Sequence, residues 1–174
     1  MAVIRLIPST YAVSNSTYLS VANASNMYHN TDNTSSYATV TNSRTSTTSY
    51  MIYLRGFNFD DIPTGAEVSS FTIKLRAYES GLNTNTSYAP RLCNGSSALS
   101  NTTATQTLGT SSKVITIPSG SIQWSTIENY GSNFGILIYV RRSNSNTTGY
   151  AYIQGAEIEV TYTIPNYYNI TATS

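Results

Sequence analysis

The stretch Val68-Ser69-Ser70-Phe71-Thr72-Ile73-Lys74-Leu75-Arg76-Ala77-Tyr78 sets Phe71, Ile73, Leu75 and Ala77 at every second position, with Thr72, Lys74, Arg76 and Tyr78 between and after them. Successive side chains of a strand point to opposite faces. A period of two sustained this long therefore predicts a strand with one buried and one wet face. A second stretch repeats the pattern: Ala156, Ile158, Val160 and Tyr162 alternate with Glu157, Glu159, Thr161 and Thr163 before Pro165 ends it. Its outward face reads as acidic. Between them, Phe134-Gly135-Ile136-Leu137-Ile138-Tyr139-Val140 is apolar at consecutive positions, as expected of a central strand covered on both faces. Arg141-Arg142 then reads as a solvated strand end.

Outward from these anchors, Tyr50 to Phe59 predicts another strand, interrupted at Gly56 by a bulge or a close backbone approach. Shorter candidates are Ala2–Ile7, Tyr18–Ala22, Tyr37–Thr41, Tyr88–Leu92, Lys113–Ile117 and Tyr150–Gln154. Ile122 to Asn129, with Trp124 and Ile127 three apart, is the one plausible helical turn. The Ser/Thr-rich segments 41–49 and 101–112 read as loops. Many short strands separated by Ser/Asn/Gly turns predict an all-β fold, an antiparallel two-sheet β-sandwich, jelly-roll-like, of about eight to ten strands. Gly65-Ala66-Glu67-Val68 and Gly155-Ala156-Glu157-Ile158 echo one another, more simply as a shared way of starting a strand than as a duplication.

Composition agrees. The 174 residues suit one domain with one core. Charged residues make up 10% of the chain, well below the average of about 25%, while Ser, Thr and Asn dominate the polar set and favour turns over helix. A net charge of +1 supplies no field that would gather nucleic acid or an anionic membrane. The longest apolar run, Gly135 to Val140, is far short of a membrane helix, and Met1 to Pro8 lacks the apolar stretch of a signal peptide. No membrane insertion and no export address are expected. Eight Asn-x-Ser/Thr sequons, among them Asn15, Asn85, Asn94 and Asn146, are little more than chance in a chain so rich in Ser and Thr.

Candidate chemistry is sparse. Asp60 and Asp61 are adjacent, and neighbours in extended chain diverge, so they do not form a glycosidase pair; Asn58-x-Asp60-Asp61 reads as a turn into Ile62-Pro63 ahead of a calcium loop. His29 reads as a surface loop histidine, with no nucleophile to nominate beside it. Cys93, the only cysteine, precedes the hairpin signal Asn94-Gly95 and reads as a small buried residue at a strand end. No catalytic residue, metal site or cofactor is expected. The 15 tyrosines and Trp124 carry more weight, because rigid amphipathic rings anchor protein interfaces and stack on sugars. Trp124, Tyr150, Tyr152, Tyr167 and Tyr168 are the candidate interface or glycan-stacking aromatics. Homo-oligomer contact is favoured and glycan binding comes second.

Tyr50-Met51-Ile52-Tyr53-Leu54-Arg55-Gly56-Phe57-Asn58-Phe59, Ile62-Pro63-x-Gly65-Ala66, Asn133-Phe134-Gly135-Ile136 and Gly155 to Thr163 together resemble a family of jelly-roll-like structural proteins from tailed bacteriophages and prophages of Gram-positive gut bacteria. The resemblance covers roughly residues 37–165 and rests on scaffold positions. It divides the chain into an N-terminal strand and extended docking segment (1–36), the sandwich (37–165) and a C-terminal tail (166–174). It implies a virion structural protein, a decoration or fibre component of capsid or tail, made in the host cytoplasm and released by lysis. Its implied partners are other virion proteins and further copies of itself, a trimer among the options. The alternative is a carbohydrate-binding or host-attachment module that recognises a host surface glycan.

Overall fold

The computed structural model describes residues 1–14, 16–43, 50–79, 86–99, 105–118, 124–142 and 149–165. Its strands are β1 (Ala2–Leu6), β2 (Thr10–Val13), β3 (Leu19–Ala22), β4 (Ala38–Asn42), β5 (Tyr50–Arg55), β6 (Glu67–Glu79), β7 (Thr86–Asn94), β8 (Ser97–Ala98), β9 (Gln106–Thr107), β10 (Lys113–Pro118), β11 (Phe134–Arg142) and β12 (Gly149–Thr163). They form two antiparallel sheets. Sheet A runs β10-β6-β12-β4-β3, with β1 also on β12; sheet B runs β2-β5-β11-β7-β8, with β9 also on β7. The two pack face to face as a sandwich. Three strands come from the first 36 residues, where β1, β2 and β3 pair with β12, β5 and β4.

The core lies between the sheets and is built from the alternation read in the sequence. Phe71, Ile73, Leu75 and Ala77 of β6 and Ala156, Ile158 and Val160 of β12 face Ile52 and Leu54 of β5 and Ile136, Ile138 and Val140 of β11. β11 is central in sheet B, between β5 and β7, and its other face buries Leu137 beside Tyr53 and Cys93.

Where the sequence suggested two strands at Tyr150–Gln154 and Ala156–Thr163, there is one. β12 continues through a register shift between Ile153 and Gly155. A bulge adds one residue and reverses the in–out alternation: Ala151 and Ile153 face the core before it, Ala156 and Ile158 after it. That change of phase makes one strand look like two. The glycine there is required by a close approach. A Cβ at Gly155 would lie 2.3 Å from the Asn30 carbonyl oxygen and 2.8 Å from that of His29. Gly65, by contrast, sits in the turn before β6 with φ +79 and open space around it, so the two Gly-Ala-Glu motifs do different jobs.

Other expectations shift at element ends. β5 stops at Arg55, because Gly56 (φ +71) turns the chain and Ser9 Oγ donates to its carbonyl at 2.9 Å. The helical turn is α1 (Trp124–Tyr130). Arg142 is not a solvated strand end: alternation turns it inward to 2% exposure, where Nη1 donates to the Asn42 carbonyl at 2.9 Å, and only Arg141 is exposed. Of the segments 41–49 and 101–112 read as loops, Thr41 and Asn42 belong to β4 and Gln106–Thr107 forms β9, while residues 44–49 and 101–104 lie outside the described residues.

The acidic face expected of the last strand is neutralised. Residues 29–34 lie over β12 where it has neither β4 nor β1 beside it: Ala156 N donates to His29 O, and Asn33 Nδ2 to Gln154 O. Glu157, fully buried beneath this loop, accepts from Thr31 N at 3.2 Å and Thr31 Oγ1 at 3.0 Å, with Arg5 Nε 3.9 Å away. Asp32 pairs with Arg5 at 2.5 Å, and Glu159 pairs with Lys74. The Arg5 pKa is raised, first by its bond to Asp32 and then by the Glu157 charge.

Candidate functional site

Two crossovers between the sheets meet at one end of the sandwich. The first, residues 56–66, leads from β5 to β6; the second carries the chain from β10 through α1 and the 3₁₀ turn Gly131–Asn133 into β11. Each has a local reason for its shape. Asn58 Oδ1 accepts from Asp60 N and Asn58 Nδ2 donates to Asp61 Oδ1 at 2.9 Å, which fixes the 3₁₀ turn Phe59–Asp61. Ile127, 1% exposed, ties α1 to the core.

Between the crossovers is a cleft of about 470 Å³. Its floor is apolar: Ile62 and Ile127 are buried, Phe59 and Pro63 half-buried. Phe59 is held from below by Phe134, with ring centroids 5.3 Å apart, and Phe134 in turn by Phe71 at 6.3 Å. The rim is polar. Asp60, Thr64 and Glu128 are exposed around it, with the backbone of Gly65 and Gly131. Among the described residues no cation lines the cleft, and their salt bridges all lie elsewhere, among Arg5, Asp32, Lys74, Glu157 and Glu159. Such a site offers apolar contact below and two strong hydrogen-bond acceptors above.

The residues singled out from the sequence fall in three places. Trp124 opens α1, one helical turn before Glu128, and its side chain is outside the described residues. Tyr150 and Tyr152 are on the outer face of sheet A. There Tyr152 contacts Tyr37 and Tyr78 at centroid separations of 4.8 and 4.7 Å, while Tyr150 is 39% exposed. The Tyr78 pKa is raised, chiefly by burial. Tyr167 and Tyr168 lie outside the described residues. Asp60 and Asp61 form the turn expected of them, and among the described residues no three His, Cys, Asp or Glu side chains gather as metal ligands. His29 is exposed, as expected of a loop histidine, and Cys93 is buried, its thiol pushed up to about 11 by desolvation.

The cleft itself was not visible in the sequence, because Asp60 and Glu128 come together only through the two crossovers. The available signal was the helical turn around Trp124.

No protein-family model matches the chain, and no curated protein does. Solved structures that resemble it include TmCBM61 in complex with beta-1,4-galactotriose, at 13% identity over 86% of this chain and 88% of that one, with a TM-score of 0.43. Likeness at that level carries no functional inference. No helix of the described residues is long and apolar enough to cross a membrane.

Proposed function

We propose that this domain is a glycan-binding module without catalytic activity, and that a neutral sugar sits in the cleft between the 56–66 crossover and α1. The observation that carries the reading is the pairing of an apolar floor (Phe59, Ile62, Pro63, Ile127) with two rim carboxylates, Asp60 and Glu128, that have no cationic partner among the described residues. A pyranose matches both halves: its C–H face packs on the floor and its hydroxyls donate to the carboxylates. Hydrolysis is disfavoured because a glycosidase encloses the scissile bond between its two carboxyl groups, and both carboxylates here are on an exposed rim. Titration of the labelled domain with neutral oligosaccharides is expected to move the amide resonances of Phe59, Thr64, Ile127 and Glu128 first. Shifts confined to other surfaces would overturn the assignment.

The carrier we propose is a bacteriophage particle, on the sequence resemblance of residues 37–165 alone. There the module would serve host attachment, and assembly into a homo-oligomer would multiply weak sugar contacts into useful avidity. Mass spectrometry of purified particles that lacked this polypeptide would remove the virion setting and leave the glycan reading intact.

A further inference from the structure

The outer face of sheet B presents Tyr53 and Arg55 from β5, Leu137, Tyr139 and Arg141 from β11, and Arg91 from β7. The strands of this sheet contain no Asp or Glu. Sheet A does the opposite, since its outward Arg5 and Lys74 are matched by Asp32, Glu157 and Glu159.

Two guanidinium groups on sheet B lie against aromatic rings. The Arg55 Cζ is 5.2 Å from the Tyr53 centroid, and the Arg91 Cζ is 5.1 Å from the Tyr139 centroid. Stacking of this kind holds an arginine flat and pre-aligned. Tyr53 and Leu137 are 8% and 0% exposed despite facing outward. Hydrogen bonding is left incomplete. Arg55 Nη2 donates to the Gly95 carbonyl at 2.9 Å, but Nε of Arg55 and Nε of Arg91 are both buried with no partner. A guanidinium donates to a carboxylate through paired N–H groups, and no carboxylate of the described residues pairs with either one.

We propose that the outer face of sheet B is a second binding surface, which recognises the carboxylate of an acidic sugar through Arg91, with Arg55 and Arg141 flanking it. Only the class of ligand rests on the glycan reading; the residues and the test are separate from the cleft. A sugar acid suits the face better than an acidic peptide does. Extended peptides add to sheet edges, where backbone N–H and C=O groups are free; Arg55 and Arg141 are on β5 and β11, each paired on both sides, and Arg91 of β7 is turned onto the face, against Tyr139, not along the edge. A uronate needs only the guanidinium fork and a flat surface for its ring.

The test is a chemical-shift titration of the labelled full chain with a galacturonate trimer, the corresponding neutral galactose trimer and triglutamate. The acidic trimer is expected to move Arg55, Arg91, Tyr139 and Arg141, with an affinity that falls as salt is raised. Arg91→Lys keeps the charge and loses the fork, and is expected to weaken binding about tenfold. Arg141→Ala, an exposed change that spares folding, is expected to weaken it less. The proposal is overturned by equal shifts from the neutral trimer, by tighter binding of triglutamate, or by no shifts on this face at millimolar acidic trimer. Loss of cleft binding in Asp60→Asn leaves this result untouched, so the two readings fail separately.

Discussion

Glu157 on the outer face of sheet A and Glu128 on the rim of the cleft carry the same carboxylate in opposite settings. Glu157 is fully buried and takes two hydrogen bonds from Thr31, with Arg5 close by. Glu128 is exposed and makes no salt bridge within the described residues. The same division separates the arginines: Arg5 is matched by Asp32, while Arg91 stacks on Tyr139 without an acidic partner among the described residues. In a chain with so few charges the distinction is informative. Charges matched inside the molecule hold loops to sheets, and those left unmatched are available to a ligand.

The comparison predicts that changes at the matched charges act on stability and changes at the unmatched ones act on binding. Glu157→Ala has the largest expected effect, since it leaves the Thr31 N–H and hydroxyl without their acceptor under the loop 29–34. Leaving two buried donors without their charged acceptor costs about 2–4 kcal/mol, read as a lower denaturation midpoint in urea at unchanged slope. A loss below about 1 kcal/mol would place Glu157 with the weak surface pairs instead. Gly155→Ala comes next. Its Cβ would meet two backbone carbonyls, which cannot swing aside as a side chain could, so the loop must shift; overpacking of this sort costs about 1–3 kcal/mol. An unchanged melting temperature would show that the loop is not seated on β12 as described.

A smaller effect is expected at Cys93, which is buried at the outer face of sheet B. Its thiol is raised from 9.0 to about 11, by desolvation and against the opposing pull of Arg55. The unfolded chain releases this proton near pH 9 and the native chain near 11. Between those values the unfolded state therefore binds fewer protons, and stability falls as pH rises. The contribution is complete below pH 9. Urea denaturation at pH 8 and pH 10.5, compared with Cys93→Ala, is expected to show a steeper decline in the native sequence; a tyrosine raised by burial away from Cys93, such as Tyr78, declines alike in both. Equal slopes would mean that the thiol is wet.

Sequence reading reached the sheets but not the site, for a physical reason. The strands Val68–Tyr78 and Phe134–Val140 announce themselves because a strand's burial pattern is local, written at a spacing of two. The bulge at Gln154, the inward turn of Arg142 and the loop over Glu157 are set by segments a hundred residues or more apart in sequence, such as Thr31 with Glu157 and Asn42 with Arg142. The cleft has the same origin. Asp60 and Asp61 looked like a turn, which they are, while Phe59 looked like the end of a strand, and nothing near them indicates that α1 lies opposite.

The most direct test of the central claim uses a glycan array probed with the native domain and with the double variant Asp60→Asn/Glu128→Gln. Both substitutions are exposed and outside every salt bridge described, so the melting temperature should not move. The account predicts that the native domain captures a defined set of neutral oligosaccharides and that the double variant, equally folded, loses them. A blank array, or a signal that survives both substitutions, would contradict it.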